Sequence, residues 1–159
     1  MAINRGKQFE AKFKSDFINT VPNSTIDRLY DSTSGFKAVS NISDFIGYSY
    51  PSIMYLECKS HAGNTFPFSN LTQYDKLVRK IGIKGVRVGV VLWMIDWDYV
   101  LYLPMSFIKY LKENDYKSFN VKMVNDEKLN SMFKVIPSVK RRVFLDSDYS
   151  CLTELPENW

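Results

Sequence analysis

Ile53-Met54-Tyr55-Leu56-Glu57-Cys58-Lys59 sets a carboxylate and an amine two positions apart inside a run that is otherwise apolar and strand-like. Successive strand side chains point to opposite faces, so Tyr55, Glu57 and Lys59 share one face while Met54, Leu56 and Cys58 share the other. Burying part of a Glu or Lys is costly unless the charge is paired or holds a metal. The default explanation is an ion pair on an edge strand. Acid-x-Lys alone decides nothing, because it occurs at Glu10/Lys12, Asp115/Lys117 and Asp126/Lys128 as well as at Glu57/Lys59. Only the last lies in strand composition, with a preceding strand-like segment that delivers another acid, Asp44.

Outward from that stretch the punctuation is regular. Phe9, Phe13 and Phe17 recur every fourth residue and predict a helix over 4–18 with Asn4 as its N-cap. Glu10 lies one position round from that stripe. Thr25 to Tyr30 and Asn41 to Tyr48 read as first and second strands, the latter carrying Asp44, and Tyr50-Pro51 marks the turn into the third. Residues 60–64 read as loop. A helix is expected from Ser69 or Asn70 to about Ile81, with Leu71, Tyr74, Leu77, Val78 and Ile81 inward and Gln73 and Lys76 off that stripe. Val86 to Ile95 reads as a central strand, turned at Asp96-Trp97-Asp98 into Tyr99 to Leu103. Pro104 suits the first turn of a helix, and a last short helix is expected near Asp126 to Met132. The fold class implied is α/β or α+β: a central mixed sheet of about five strands flanked by helices.

At 159 residues, 45% hydrophobic and 15% aromatic, the chain fits a single domain, 1–159, with a substantial core. No apolar run is long enough to span a membrane, and Met1-Ala2-Ile3-Asn4-Arg5-Gly6 lacks the apolar stretch of a signal peptide, so the expected location is the cytoplasm. Cys58 and Cys151 have no metal-type spacing and read as free thiols. His61 is the only histidine, which argues against a histidine-built zinc site and against a serine or cysteine nucleophile with a histidine base. The net charge of +4 and pI near 9.0 are compatible with a polyanionic partner. Basic residues gather at Arg5, Lys7, Lys12 and Lys14, between Lys76 and Arg87, and at Lys140-Arg141-Arg142. For each cluster a solvated face competes with phosphate binding. Trp93, Trp97 and Tyr99 read as core and hairpin residues rather than base-stacking platforms.

Two carboxylates on adjacent strands, with an amine one strand repeat beyond the second, suit magnesium chemistry on a phosphodiester. Mg²⁺ prefers oxygen ligands and is usually held by one or two carboxylates, waters and substrate phosphate oxygens. Such an ion lowers the pKa of a bound water and offsets charge on the reacting phosphorus, and a lysine beside it can stabilise the same charge.

Asp44 followed by Glu57-Cys58-Lys59 resembles the PD-(D/E)XK nuclease motif, and the surrounding text is closer to one branch of it. Asn4-Arg5-Gly6-Lys7-Gln8-Phe9-Glu10, Ser43-Asp44-Phe45-Ile46-Gly47, and Phe66-Pro67-Phe68-Ser69-Asn70-Leu71 with Gln73 are similar to motifs of the RecU-type Holliday junction resolvases of Gram-positive bacteria and their phages. The likeness runs from about Asn4 to Leu103, and more loosely to Leu145. It implies a restriction-endonuclease-like core and a homodimeric, Mg²⁺-dependent endodeoxyribonuclease, with Mn²⁺ as a substitute ion and no organic cofactor. Its DNA partner would be a four-way junction, cut by paired symmetric nicks in recombination and repair. By the same resemblance Asp44 and Glu57 bind the ion, with the Cys58 backbone carbonyl and Gln73 as further ligands. Lys59 stabilises the transition state, Glu10 supports the site from the first helix, and Arg5 and Lys7 meet phosphates. The family carries a hydroxyl pair before the aspartate; here the pair is Ile42-Ser43, so only Ser43 can take that role. Residues 31–42, with Gly35, Phe36 and Lys37, stand where the family has a longer stalk that enters the junction. Lys37, Lys140, Arg141 and Arg142 complete the expected DNA contacts. Two other readings stay open: a non-catalytic branched-DNA-binding accessory, and a related nuclease of flap or restriction specificity.

Overall fold

The structure is a computed structural model that describes residues 4–30 and 40–159. In chain order the regular elements are α1 (Arg5–Thr20), β1 (Ser24–Arg28), β2 (Phe45–Ser49), β3 (Ser52–His61), β4 (Thr65–Pro67), α2 (Tyr74–Val78), β5 (Val86–Met94), β6 (Tyr99–Pro104), α3 (Met105–Glu113), β7 (Ser118–Asn120), β8 (Lys134–Val135), β9 (Ser138–Lys140) and β10 (Leu145–Ser147). Five of the strands predicted from alternation form the central sheet, and β8 adds a sixth, in the order β1-β2-β3-β5-β6-β8. β3 and β5 run parallel and their neighbours antiparallel, so the sheet is mixed and the architecture α+β.

Side-chain alternation builds a core on each face. Asn4 caps α1 by accepting from Lys7 N at 3.1 Å, and Phe9, Phe13 and Phe17 pack on Met54, Leu56, Cys58, Val91, Trp93 and Tyr102. On the other face Val88, Val90, Leu92, Leu101 and Leu103 meet Leu77, Phe107, Ile108, Leu111 and Phe133. β5 is covered on both faces, which is why its sequence is an unbroken apolar run. Gly89 is where Tyr102 crosses the sheet: a Cβ there would lie 2.5 Å from the ring.

Several boundaries differ from the sequence expectation. β2 begins at Phe45, so Asp44 lies just ahead of the strand rather than within it. β3 continues through Ser60 and His61, which pair with Trp93 and Met94 on β5. The helix expected to reach Ile81 is a 3-10 turn at Phe68–Asn70 and the single short α2. Its apolar anchors Leu71 and Leu77 are still buried, but Tyr74, Lys80 and Ile81 take i→i−3 bonds to Leu71, Leu77 and Val78. A few buried anchors fix this segment, and a stretch this short gains little from helical cooperativity. The last helix shrinks to a 3-10 turn at Asn130–Met132, and the basic run at Lys140 to Arg142 enters the turn of the β9–β10 hairpin. Of the expected stalk at 31–42, residues 31–39, Lys37 among them, lie outside the described residues.

Candidate active site

The β2–β3 ladder ends with Phe45 opposite Leu56, so Asp44 and Glu57 face each other where the two strands part. Asp44 leaves the ladder: its carbonyl accepts from Leu29 N at 2.8 Å, and its N–H donates to Glu57 Oε2 at 3.2 Å. Cys58 N–H donates in return to Asp44 Oδ2 at 2.8 Å. Each carboxylate is thus held by backbone belonging to, or next to, the other. The N–H and C=O of one strand residue point the same way, so the Cys58 carbonyl also looks toward the gap that β2 has vacated. Its thiol lies on the opposite face in the α1 core, where burial, then Asp44, pushes its pKa well up.

Lys59 follows on the face of Glu57, with Nζ 2.7 Å from Glu57 Oε1. Glu57 is fully buried, whereas the Lys59 side chain keeps 26% exposure. Burial, then the charge of Asp44, pushes Glu57 up to about 7 against the pull of Lys59. Burial pulls the Lys59 ammonium down, but the attraction and hydrogen bond of Glu57 together with the charge of Asp44 outweigh it and the net shift is upward. Glu10 comes from α1 and is paired by Arg28 of β1. Burial, then Asp44, raises the Glu10 pKa, opposed by Arg28, Lys59 and Lys7. Three carboxylates therefore share one field with Lys59, Arg28 and Lys7, and burial together with Asp44 raises both glutamates in spite of those cations.

No family model matches the chain, and neither does any curated protein. Among solved structures the chain is similar to Hjc, a Holliday junction resolvase from the archaeal hyperthermophile Archaeoglobus fulgidus. The two are 17% identical, the likeness covers 64% of this chain and 78% of that one, and the TM-score is 0.44.

The donor set fits a hard divalent cation. Asp44 and Glu57 offer carboxylate oxygens, the Cys58 carbonyl is aimed into the same gap, and an excess of buried negative charge is what such an ion relieves. Among the described residues no group of three His, Cys, Asp or Glu side chains is placed to hold one ion. Ser43 is buried and its hydroxyl donates to Phe45 O at 2.8 Å, while Ile42 packs on the core of the α2 and α3 face. Gln73 stands at the start of α2 with Oε1 accepting from Thr72 Oγ1 at 2.8 Å. The α2 residue that reaches the Asp44 segment is Lys76, whose Nζ donates to Ser40 O at 2.7 Å and Ser40 Oγ at 2.5 Å.

The basic residues converge on one end of the sheet. Phe9, near the exposed Arg5 and Lys7, contacts Trp93 at 5.6 Å between centroids, and Phe144, beside Arg141 and Arg142, contacts the same ring at 5.2 Å. Trp93 pairs with Ser60, next to Lys59, so these charges share the end at which β3 and β5 finish. Lys140 is paired with Asp98 and Arg141 with Asp146, at 2.6 Å for the latter, while Arg142 is exposed.

Sequence reasoning missed Arg28 and Lys76 as members of this neighbourhood. Arg28 alternates with Ile26, so it had to fall on the α1 face opposite Phe45 and Leu56, and a charge on a core face implies a partner. Lys76 lies three residues beyond Gln73, and that spacing puts the two on the same side of a helix.

Proposed function

We propose that the chain is a Mg²⁺-dependent endodeoxyribonuclease with a restriction-endonuclease-like core, acting as a homodimer on branched DNA and resolving four-way junctions by paired symmetric nicks. The reciprocal clamp of Asp44 and Glu57 at the parting of β2 and β3, with Lys59 on Glu57, is the observation that carries this reading. The sequence resemblance to RecU-type resolvases supplies the substrate class.

Asp44, Glu57 and the Cys58 carbonyl would hold the ion, with Mn²⁺ as a substitute. The chemistry it supplies there is a more acidic water and a counter-charge for the attacked phosphorus. Lys59, on the same face as Glu57, would offer its ammonium to negative charge developing on the attacked phosphate. Glu10 sets the field around Asp44 from the far side of the sheet, with Arg28 limiting it. Arg5, Lys7 and Arg142 meet phosphates, which position DNA without reading sequence. A two-fold dimer provides the two sites that a two-fold junction needs.

The test is strand-by-strand mapping of cleavage on a synthetic four-way junction and on a duplex of the same arms. Two symmetric nicks near the branch, dependent on Mg²⁺, are expected. Equal cutting of the duplex would point instead to a nuclease of flap or restriction type. Ile42, turned into the core beside a hydroxyl that faces Phe45 O, favours a second reading, a non-catalytic junction-binding protein. Junction binding with no cleavage under any Mg²⁺ or Mn²⁺ condition would select it.

A further inference from the structure

Trp97 is a large aromatic left 47% exposed, in the turn between β5 and β6. Its position is nevertheless fixed. Nε1–H donates to Asn64 Oδ1 at 3.0 Å, and one residue earlier in each segment Gly63 N–H donates to Asp96 Oδ2 at 2.6 Å. These two bonds lace the loop after β3 to the turn after β5, and they hold the indole by its polar edge while the ring stays in solvent. Asp98 closes the turn in the left-handed region at φ 52° and is tied in turn to Lys140.

The place is as telling as the exposure. Met94, three residues before Trp97, pairs with His61, and His61 shares the face of Glu57 and Lys59, about 13 Å beyond Glu57 and about 7 Å beyond Lys59 at the usual rise per residue. Lys59, Arg5, Lys7 and Arg142 lie at this same end. A rigid aromatic beside a basic surface is the combination that binds unpaired nucleotides: the charges hold the backbone, and the ring accepts a base face whatever its identity. Holding the indole in advance lowers the ordering cost of such a contact.

We infer that Trp97 is a stacking platform for an unstacked base at the branch of the DNA, and that it contributes to discrimination between branched and continuous DNA. This deepens the nuclease reading and rests on it. A base inside a continuous duplex has both faces occupied and gains nothing from the indole, whereas a branch point exposes base faces.

The experiment is fluorescence anisotropy of a labelled four-way junction and of a matched duplex, in chelator so that nothing is cut, at one stated salt concentration. Trp97→Ala is expected to weaken junction binding roughly 5- to 150-fold, the range for loss of one base–aromatic stack, with a much smaller change on duplex. Trp97→Phe, which keeps a ring but loses the N–H, and Asn64→Ala, which frees the indole, should each stay within a few-fold of wild type. Unchanged junction binding by Trp97→Ala overturns the inference. So does a loss in Trp97→Phe and Asn64→Ala equal to that in Trp97→Ala, which would make Trp97 a loop fastener. If the unaltered protein binds neither DNA, the nuclease reading fails together with the inference.

Discussion

Two charged clusters involve residues of α1, and they are built on opposite principles. In one, Lys12 meets Asp16 at 2.5 Å and Asp146 at 2.8 Å, Arg141 meets Asp146 at 2.6 Å, and Ser147 N–H donates to Asp16 at 3.0 Å. Two cations face two carboxylates, and hydrogen bonds from Lys12 and Arg141 hold Asp146 below its ordinary pKa. In the other, Glu10, Asp44 and Glu57 share Arg28 and Lys59, and both glutamates are pushed up by burial and by Asp44. The first cluster is balanced and fastens α1 to the β9–β10 hairpin. In the second, burial and Asp44 push both glutamates up despite the nearby cations, and that imbalance is what the proposed cation site rests on. The acid-x-Lys pair Glu10/Lys12 is divided between the two, Glu10 in the second cluster and Lys12 in the first, whereas Glu57 and Lys59 stay together. The pair does not mark the chemistry; the local charge balance does.

The difference can be broken most severely at Glu57. Glu57→Gln keeps the shape and removes the charge, and junction cleavage should fall by about 10³-fold or more, the scale of losing a principal electrostatic group at a reacting centre. Binding of the same junction in chelator should persist. Cleavage within tenfold of wild type would mean that the cluster is not the active site.

A smaller effect is expected at Arg28. Replacing it by Met leaves Glu10 beside Asp44 without its counter-charge, which deepens the negative field, and the ion is expected to bind about 10-fold tighter, the scale of one neighbouring charge in a partly buried site. The Mg²⁺ concentration for half-maximal cleavage reads this directly, and an unmoved midpoint would confine Arg28 to packing.

The two clusters should also respond oppositely to pH. Glu57 is raised in the folded state, so between its ordinary value of 4.5 and about 7 the native protein binds more protons than the unfolded chain. Metal-free protein should therefore lose stability as pH rises through that window, by a few kcal/mol at most. Glu57→Gln should flatten this slope in denaturant melts run with chelator, and a slope unchanged by the substitution would contradict the assignment. Asp146 is lowered, so its contribution is present above its ordinary value of 3.8 and is lost as pH falls through the folded value. Its side chain is 44% exposed, and Asp146→Asn should produce the smallest change of the series, a slight fall in melting temperature at pH 7 that vanishes in acid.

The sheet was legible because β1, β2, β3, β5 and β6 alternate or run apolar in register with what covers them, and Phe9, Phe13 and Phe17 announced α1. Glu57 and Lys59 stood out because charge in an apolar strand needs a reason. Asp44 was legible as a residue but not as a position, since the N–H it gives to Glu57 takes it out of the strand. The helix expected to Ile81 was not legible as turns, because Leu71, Tyr74, Leu77 and Ile81 have helical spacing whether or not the backbone between them is continuous. Arg28 was hidden because its partner Glu10 lies eighteen residues away on another element. The exposure of Trp97 was hidden as well: its place beside Trp93 and Tyr99 reads as core or hairpin, and only the turn geometry turns its ring outward.

The central claim is that Asp44 and Glu57 leave a negative imbalance that a divalent cation fills. Mn²⁺ uptake, followed by the loss of its free-ion resonance signal in wild-type protein and in Glu57→Gln at pH 8 and pH 6, tests it most directly. Saturable binding at pH 8, about tenfold weaker at pH 6 as the proton competes for Glu57 and lost in the variant, is the expected result. Equal uptake by both proteins, or none by the wild type, would contradict it.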